Sequence, residues 1–139
     1  MTGPDVLVVD DNQGFLRAAR AVLGDAFRVH TVERGRDAVA FLERRPPFTE
    51  APRPAFVILD FHLPDMDAPA VLDALRAHDG LARTPVLVLS QADWEEDARA
   101  ARAAGARAFR VKPSRVRALR DVVVDFWEEH GGPRPADRG

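Results

Sequence analysis

Three unbroken apolar runs, VLVV at 6–9, FVIL at 56–59 and VLVL at 86–89, constrain this chain more than any other feature. They do not alternate with polar residues, so they read as strands buried on both faces rather than strands with one wet side. Two more polar strands complete the set, Phe27–Val32 and Ala106–Val111, alongside Val6–Val9, Phe56–Leu59 and Pro85–Leu89. Segments of helical period lie between them. Phe15, Leu16, Ala19, Val22 and Leu23 share one face and stop at Gly24; Arg34–Arg45 carries Ala38, Val39, Phe41 and Leu42. Ala70–His78 follows the third strand. Asp93 is positioned to cap a helix through Ala104 that Gly105 closes, and Ser114 to cap a last helix to about His130.

Strand and helix alternate five times, which predicts an α/β fold: a five-stranded, mostly parallel sheet with helices on both faces. The proline-rich segment at 46–54 reads as a stiff surface loop. No internal repeat or second domain is evident. Residues 1–130 are expected to form one domain, with 131–139 as a flexible C-terminal tail.

At 139 residues the chain is long enough to bury a core. Its net charge of -2 speaks against general nucleic-acid binding, and the lack of cysteine excludes disulfides and zinc-thiolate sites. The N-terminus lacks the pattern of a secretory signal, and no apolar stretch approaches the roughly 18 residues of a membrane span. A cytoplasmic protein with no membrane partner is the expectation.

Ligands of parallel α/β sheets bind beyond the carboxyl ends of the strands. There this sequence places Asp10 and Asp11 after the first strand, Asp60 after the third, Ser90 after the fourth and Lys112 after the fifth. Lys112 is the single lysine among 20 basic residues. Adjacent carboxylates at the end of a core strand repel unless water or a cation lies between them. Three acids form a hard oxygen site suited to Mg2+. A carboxylate in such a site can attack a phosphoryl group, with Lys112 and Ser90 supplying charge and a hydrogen bond.

These residues resemble the receiver domains of response regulators over about Asp5 to Trp127, and the resemblance implies a doubly wound (βα)5 flavodoxin-like sheet in the strand order 2-1-3-4-5. The pattern is the pair Asp10-Asp11, then Asp60, Leu63-Pro64, Met66-Asp67, Ser90, Phe109 and Lys112-Pro113. The resemblance implies that Asp60 accepts a phosphoryl group from a sensor histidine kinase. It implies that Asp11 binds Mg2+ directly and Asp10 largely through water, with the backbone carbonyl of His62 as a further ligand. Lys112 would contact the phosphoryl group, and Lys112-Pro113 would be a cis peptide. Ser90 and Phe109 would be the switch pair, the hydroxyl moving to the phosphoryl group and the ring turning inward.

Three positions depart from the family pattern. Gln91 replaces the small residue after the switch hydroxyl and would crowd the phosphoryl site; Ala68 replaces a common glycine; the excess length before Asp60 falls in the 46–54 loop. That loop and "DFWEEH" resemble small regulators that partner bacterial phytochrome kinases. Signalling would then run through protein contact with an unidentified downstream partner. The alternative is a receiver fold retained as a phosphorylation-independent adaptor. A haloacid-dehalogenase-type phosphatase would need D-x-D where this chain has D-D-N, and a flavodoxin-like cofactor binder would need a hydroxyl-rich loop that is absent.

The side chain of His62 reads as a solvent-exposed loop residue with no ligand spacing to His30, His78 or His130. Trp94 and Trp127 are open between core, partner surface and neither. The last helix carries Val116, Leu119, Val123, Phe126 and Trp127 on one stripe and Val122 and Val124 beside it, a wider arc than a core-facing helix needs. Leftover apolar surface there predicts a homodimer through the last helix. Arg44, Arg45 and Arg53 read as a solvated surface.

Overall fold

The computed structural model describes residues 3–78 and 80–130. Five strands and five helices alternate: β1 (Asp5–Val9), α1 (Gln13–Leu23), β2 (Arg28–Val32), α2 (Gly35–Glu43), β3 (Phe56–Asp60), α3 (Ala68–Arg76), β4 (Val86–Ser90), α4 (Glu95–Ala103), β5 (Ala108–Val111) and α5 (Val116–His130). The sheet is parallel throughout, in the order β2-β1-β3-β4-β5, as expected. The expected tail at 131–139 lies outside the described residues.

The pleat sorts the core. Leu7, Val9, Val57, Leu59, Val86 and Val88 face the layer built by α2, α3 and α4. Val6, Val8, Phe56, Ile58, Leu87 and Leu89 face α1 and α5. Every residue of β3 and β4 is buried, which is why those runs show no polar alternation. On the α1/α5 side, Phe56 stacks on Trp127 at 5.3 Å between centroids, and Phe27 meets both rings edge-on.

Several boundaries differ from the sequence reading for local reasons. α2 ends at Glu43 because Arg44 turns left-handed, with φ 56°, and Arg45 N–H closes onto the carbonyl of Ala40. Asp93 does not cap α4: Trp94 holds that position without a side-chain bond, and Glu95, Glu96 and Asp97 set negative charge against the helix dipole instead. Gly105, with φ +111°, does close α4. α5 starts at Val116, so Ser114 lies two residues before it. α3 starts at Ala68, capped by Asp67, which accepts from Ala70 N–H at 3.1 Å. The leftover surface of α5 is also narrower than expected. Val122 and Val124 pack partly against the core, and Trp127 is buried; among the described residues the exposed large apolar ones are Trp94, Val111 and Val116. Among the described residues, no helix is long and apolar enough to cross a membrane.

Candidate phosphoryl and metal site

The carboxyl ends of β1, β3, β4 and β5 deliver the predicted residues to one edge. Asp10 leaves β1 buried at 1 % exposure, its N–H bound to the carbonyl of Val32 on β2. The chain then turns at once into α1. Asn12 caps that helix through Phe15 N–H at 2.9 Å, and Asn12 N–H donates back to Asp10 Oδ1 at 2.9 Å. This turn leaves Asp11 exposed beside its buried neighbour. Asp60 ends β3 with its side chain 9 % exposed. Carboxylate oxygens of Asp10, Asp11 and Asp60 all lie within 4.8 Å of one another.

Lys112 closes the site from the opposite side. Its backbone N–H donates to the carbonyl of Ser90 at 2.6 Å, fixing the end of β5 against β4. Its Nζ lies 2.5 Å from Asp10 Oδ2 and 4.0 Å from Asp60 Oδ1. The ring of Phe15 covers the ammonium at 4.3 Å, a cation–π contact. Burial pushes the Asp60 carboxyl up to about 6, helped by the charges of Asp10 and Asp11 and opposed by Lys112 and His62. One ammonium therefore faces three carboxylates. A cluster with surplus negative charge and only oxygen donors is the donor set a hard divalent cation takes, so the residues fit Mg2+.

Ser90 is buried at the end of β4, 1 % exposed. Phe109 was expected to turn inward on activation; here its ring is already buried, edge-on to Phe61 at 6.4 Å. It packs in the apolar layer built by α2, α3 and α4. The expected cis peptide at Lys112–Pro113 is not present. Among the described residues the cis bond is Pro46–Pro47. X–Pro bonds favour trans by about 0.5–1 kcal/mol, and Lys112 reaches Asp10 with its own X–Pro bond trans.

His62 is exposed yet engaged. Its Nε2 lies 3.2 Å from Asp97 Oδ2, and its ring meets Trp94 edge-on at 6.4 Å. The loop after Asp60 is thereby joined to the first turn of α4. Gln91 lines a groove of about 690 Å3 beside Lys112, with Asn12, Phe15, Val111, Pro113, Ser114 and Val122. It is exposed at the mouth rather than packed among the buried acids.

Four residues contribute in ways the sequence reading did not assign. Phe15 appeared only as a core residue of α1. Asp97 and Trp94 carried no motif. Asp65 proves to accept from Gly35 N–H at 2.8 Å and Arg36 N–H at 2.9 Å. A signal for the last existed: Glu33-Arg34-Gly35 offers α2 no local capping side chain, so an acceptor from elsewhere was required.

Comparison with known proteins places this edge in context. Residues 6–124 match the family model described as response regulator receiver domain. The chain is 29% identical over 130 residues to response regulator Rcp1 of Synechocystis sp., covering 89% of this chain and 88% of that protein. It superposes on the phosphorylated cyanobacterial phytochrome response regulator RcpA with a TM-score of 0.83, 26% identity and coverage of 93% and 94%. It superposes on the Mn2+-bound form of Rcp1 with a TM-score of 0.82, 26% identity and coverage of 96% and 99%.

Proposed function

The chain belongs to the response regulator receiver domain family, and from that premise we propose that it is a two-component phosphorylation switch whose phosphoryl acceptor is Asp60. The observation that carries this reading is the meeting of Asp10, Asp11 and Asp60 within 4.8 Å, with the Lys112 ammonium ion-paired to Asp10 and Asp60. Asp11, Asp60, the carbonyl of His62 and, through water, Asp10 would hold Mg2+. When bound, Mg2+ would supply positive charge to the transferring phosphoryl oxygens.

Asp60, with its carboxyl raised to about 6, is ionised at neutral pH and available as a nucleophile. Its carboxylate oxygen attacks the phosphorus of a kinase phosphohistidine; the P–O bond forms as the P–N bond breaks, and the imidazole leaves. Lys112, now on Asp10, is close enough to Asp60 to meet the arriving oxygens. The Ser90 hydroxyl donates to the same oxygens. Added phosphoryl charge then favours the arrangement in which these contacts are made, and the β4 and β5 ends move with them.

The similarity to RcpA, named as a phytochrome response regulator, supports a phytochrome-type sensor kinase as phosphodonor, and the setting is cytoplasmic. Output runs through protein contact. Exposed Trp94, Val111 and Val116 support self-association at the face of α4, β5 and α5; sedimentation showing only monomer at high concentration, with and without a phosphoryl analogue, would exclude it. The direct test of the switch is intact mass after incubation with Mg2+ and a small phosphodonor. One phosphoryl adduct is expected, absent in Asp60→Asn and absent without Mg2+. No adduct, even with a candidate kinase, would favour the phosphorylation-independent adaptor.

A further inference from the structure

We propose that Asp65 is a positioning residue for the metal site, clamping the loop after Asp60 onto the N-terminus of α2. This rests on the reading above, in which the carbonyl of His62 serves as a metal ligand. Such a carbonyl is useful only if the loop holds it at a fixed place relative to Asp60.

The loop runs from Phe61 to Asp67 and is pinned at both edges. On the α3 side, Ala68 N–H donates to the carbonyl of Phe61 at 2.9 Å, and His62 pairs with Asp67 in an isolated antiparallel bridge. On the α2 side, both carboxylate oxygens of Asp65 are used, one by Gly35 N–H and the other by Arg36 N–H. These are the first two amides of α2, which have no partner within the helix. Burial would raise the Asp65 carboxyl, but the Arg36 and Gly35 amides outweigh it and the carboxyl is held low, so Asp65 grips as an anion.

A second observation is independent of that pair. Gly35 is buried, and a Cβ on it would overlap Met66 Cγ. Met66 therefore sits directly against the α2 backbone, and the absence of a side chain at 35 permits the close approach that Asp65 needs. Two consecutive loop residues, Asp65 and Met66, touch one helix end far away in sequence, Asp65 across 29 and 30 residues. The position of α2 thus sets the position of the loop, and through it the distance from the His62 carbonyl to Asp60. Stability alone does not require this: α2 is already anchored by Ala38, Val39, Phe41 and Leu42 in the core.

The test is Mg2+ affinity by calorimetric titration, with hydrogen exchange of the 61–67 amides in the metal-free protein. The variants are Asp65→Ala, Asp65→Asn and, as a control that lowers stability from the far side of the sheet, Val123→Ala. Asp65→Ala is expected to weaken Mg2+ binding by about fivefold or more and to speed exchange across 61–67. Asp65→Asn, which keeps one acceptor oxygen, is expected to fall between it and the wild type. Val123→Ala should keep wild-type affinity. Asp65→Ala binding within twofold of wild type would overturn the proposal, as would an equal loss in Val123→Ala. Should Asp65→Ala not fold, Asp65→Asn must lose more affinity than Val123→Ala or the proposal fails. A wild type that does not bind Mg2+ would instead overturn the functional reading beneath it.

Discussion

Replacing Asp60 by Asn should make the metal-free protein more stable at neutral pH. The folded state brings this carboxylate against Asp10 and Asp11 in a place where it is 9 % exposed. Its carboxyl rises from an ordinary 3.8 to about 6. A raised carboxyl pKa means that the folded state binds more protons than the unfolded one between those values. Stability therefore falls as pH rises through that window, and the penalty is complete above about 6. Roughly two pKa units at ~1.4 kcal/mol each give a penalty of about 3 kcal/mol at pH 7. Asn is nearly isosteric and leaves Lys112 paired with Asp10, so most of that penalty should vanish.

The assay is urea unfolding in EDTA, followed by the fluorescence of buried Trp127 in a Trp94→Phe background. With a urea slope of about 1–3 kcal/mol/M, the midpoint should rise by about 1 M or more. At pH 4, where the folded wild type is mostly protonated at Asp60, the gap should shrink to under about 1 kcal/mol. Saturating Mg2+ should narrow or invert the order at pH 7, because a wild type that binds it gains about 2.7 kcal/mol at 100 times its dissociation constant and the variant lacks one of the proposed ligands. A variant that unfolds earlier than wild type in EDTA at pH 7, or a gap that is the same at pH 4, would refute the stored-repulsion argument.

At the other end of β1, Asp5 accepts from Arg28 and from His30 at 2.9 Å. Burial would raise its carboxyl, but the His30 and Arg28 contacts outweigh it and hold it low. Asp5→Ala should cost about 1–3 kcal/mol at pH 7. Because a depressed carboxyl stabilises above its unfolded value of 3.8, that difference should fade as pH drops below about 4, as read from urea midpoints. Phe56 is fully buried and touches Phe27, Phe126 and Trp127. Phe56→Ala should cost about 3–5 kcal/mol and shift Trp127 emission to the red; a cost under ~1 kcal/mol would show that the cluster repacks freely.

The fold was legible because its three central strands are apolar runs buried almost throughout, as FVIL is, and five strands separated by helical periods admit few topologies. Asp10, Asp11, Asp60, Ser90 and Lys112 were legible for a related reason. Where an apolar strand ends, the first polar residue must lie at the sheet edge, so sequence position alone gives spatial position. Trp94, Phe15 and Asp65 had no such rule. The role of each depends on what another element brings to it, and local sequence does not encode that.

Sequence by itself therefore determined the α/β class and the residues gathered at one edge, and the family resemblance supplied the strand order. Tertiary structure decided how they share that edge. It paired Lys112 with Asp10 more closely than with Asp60, buried the Phe109 ring, left the Lys112–Pro113 bond trans and tied the loop after Asp60 to α2 and α4. The difference is physical: burial and strand pairing follow from the composition of short segments, whereas ion pairs, capping bonds and ring contacts depend on distances of a few ångströms between segments tens of residues apart.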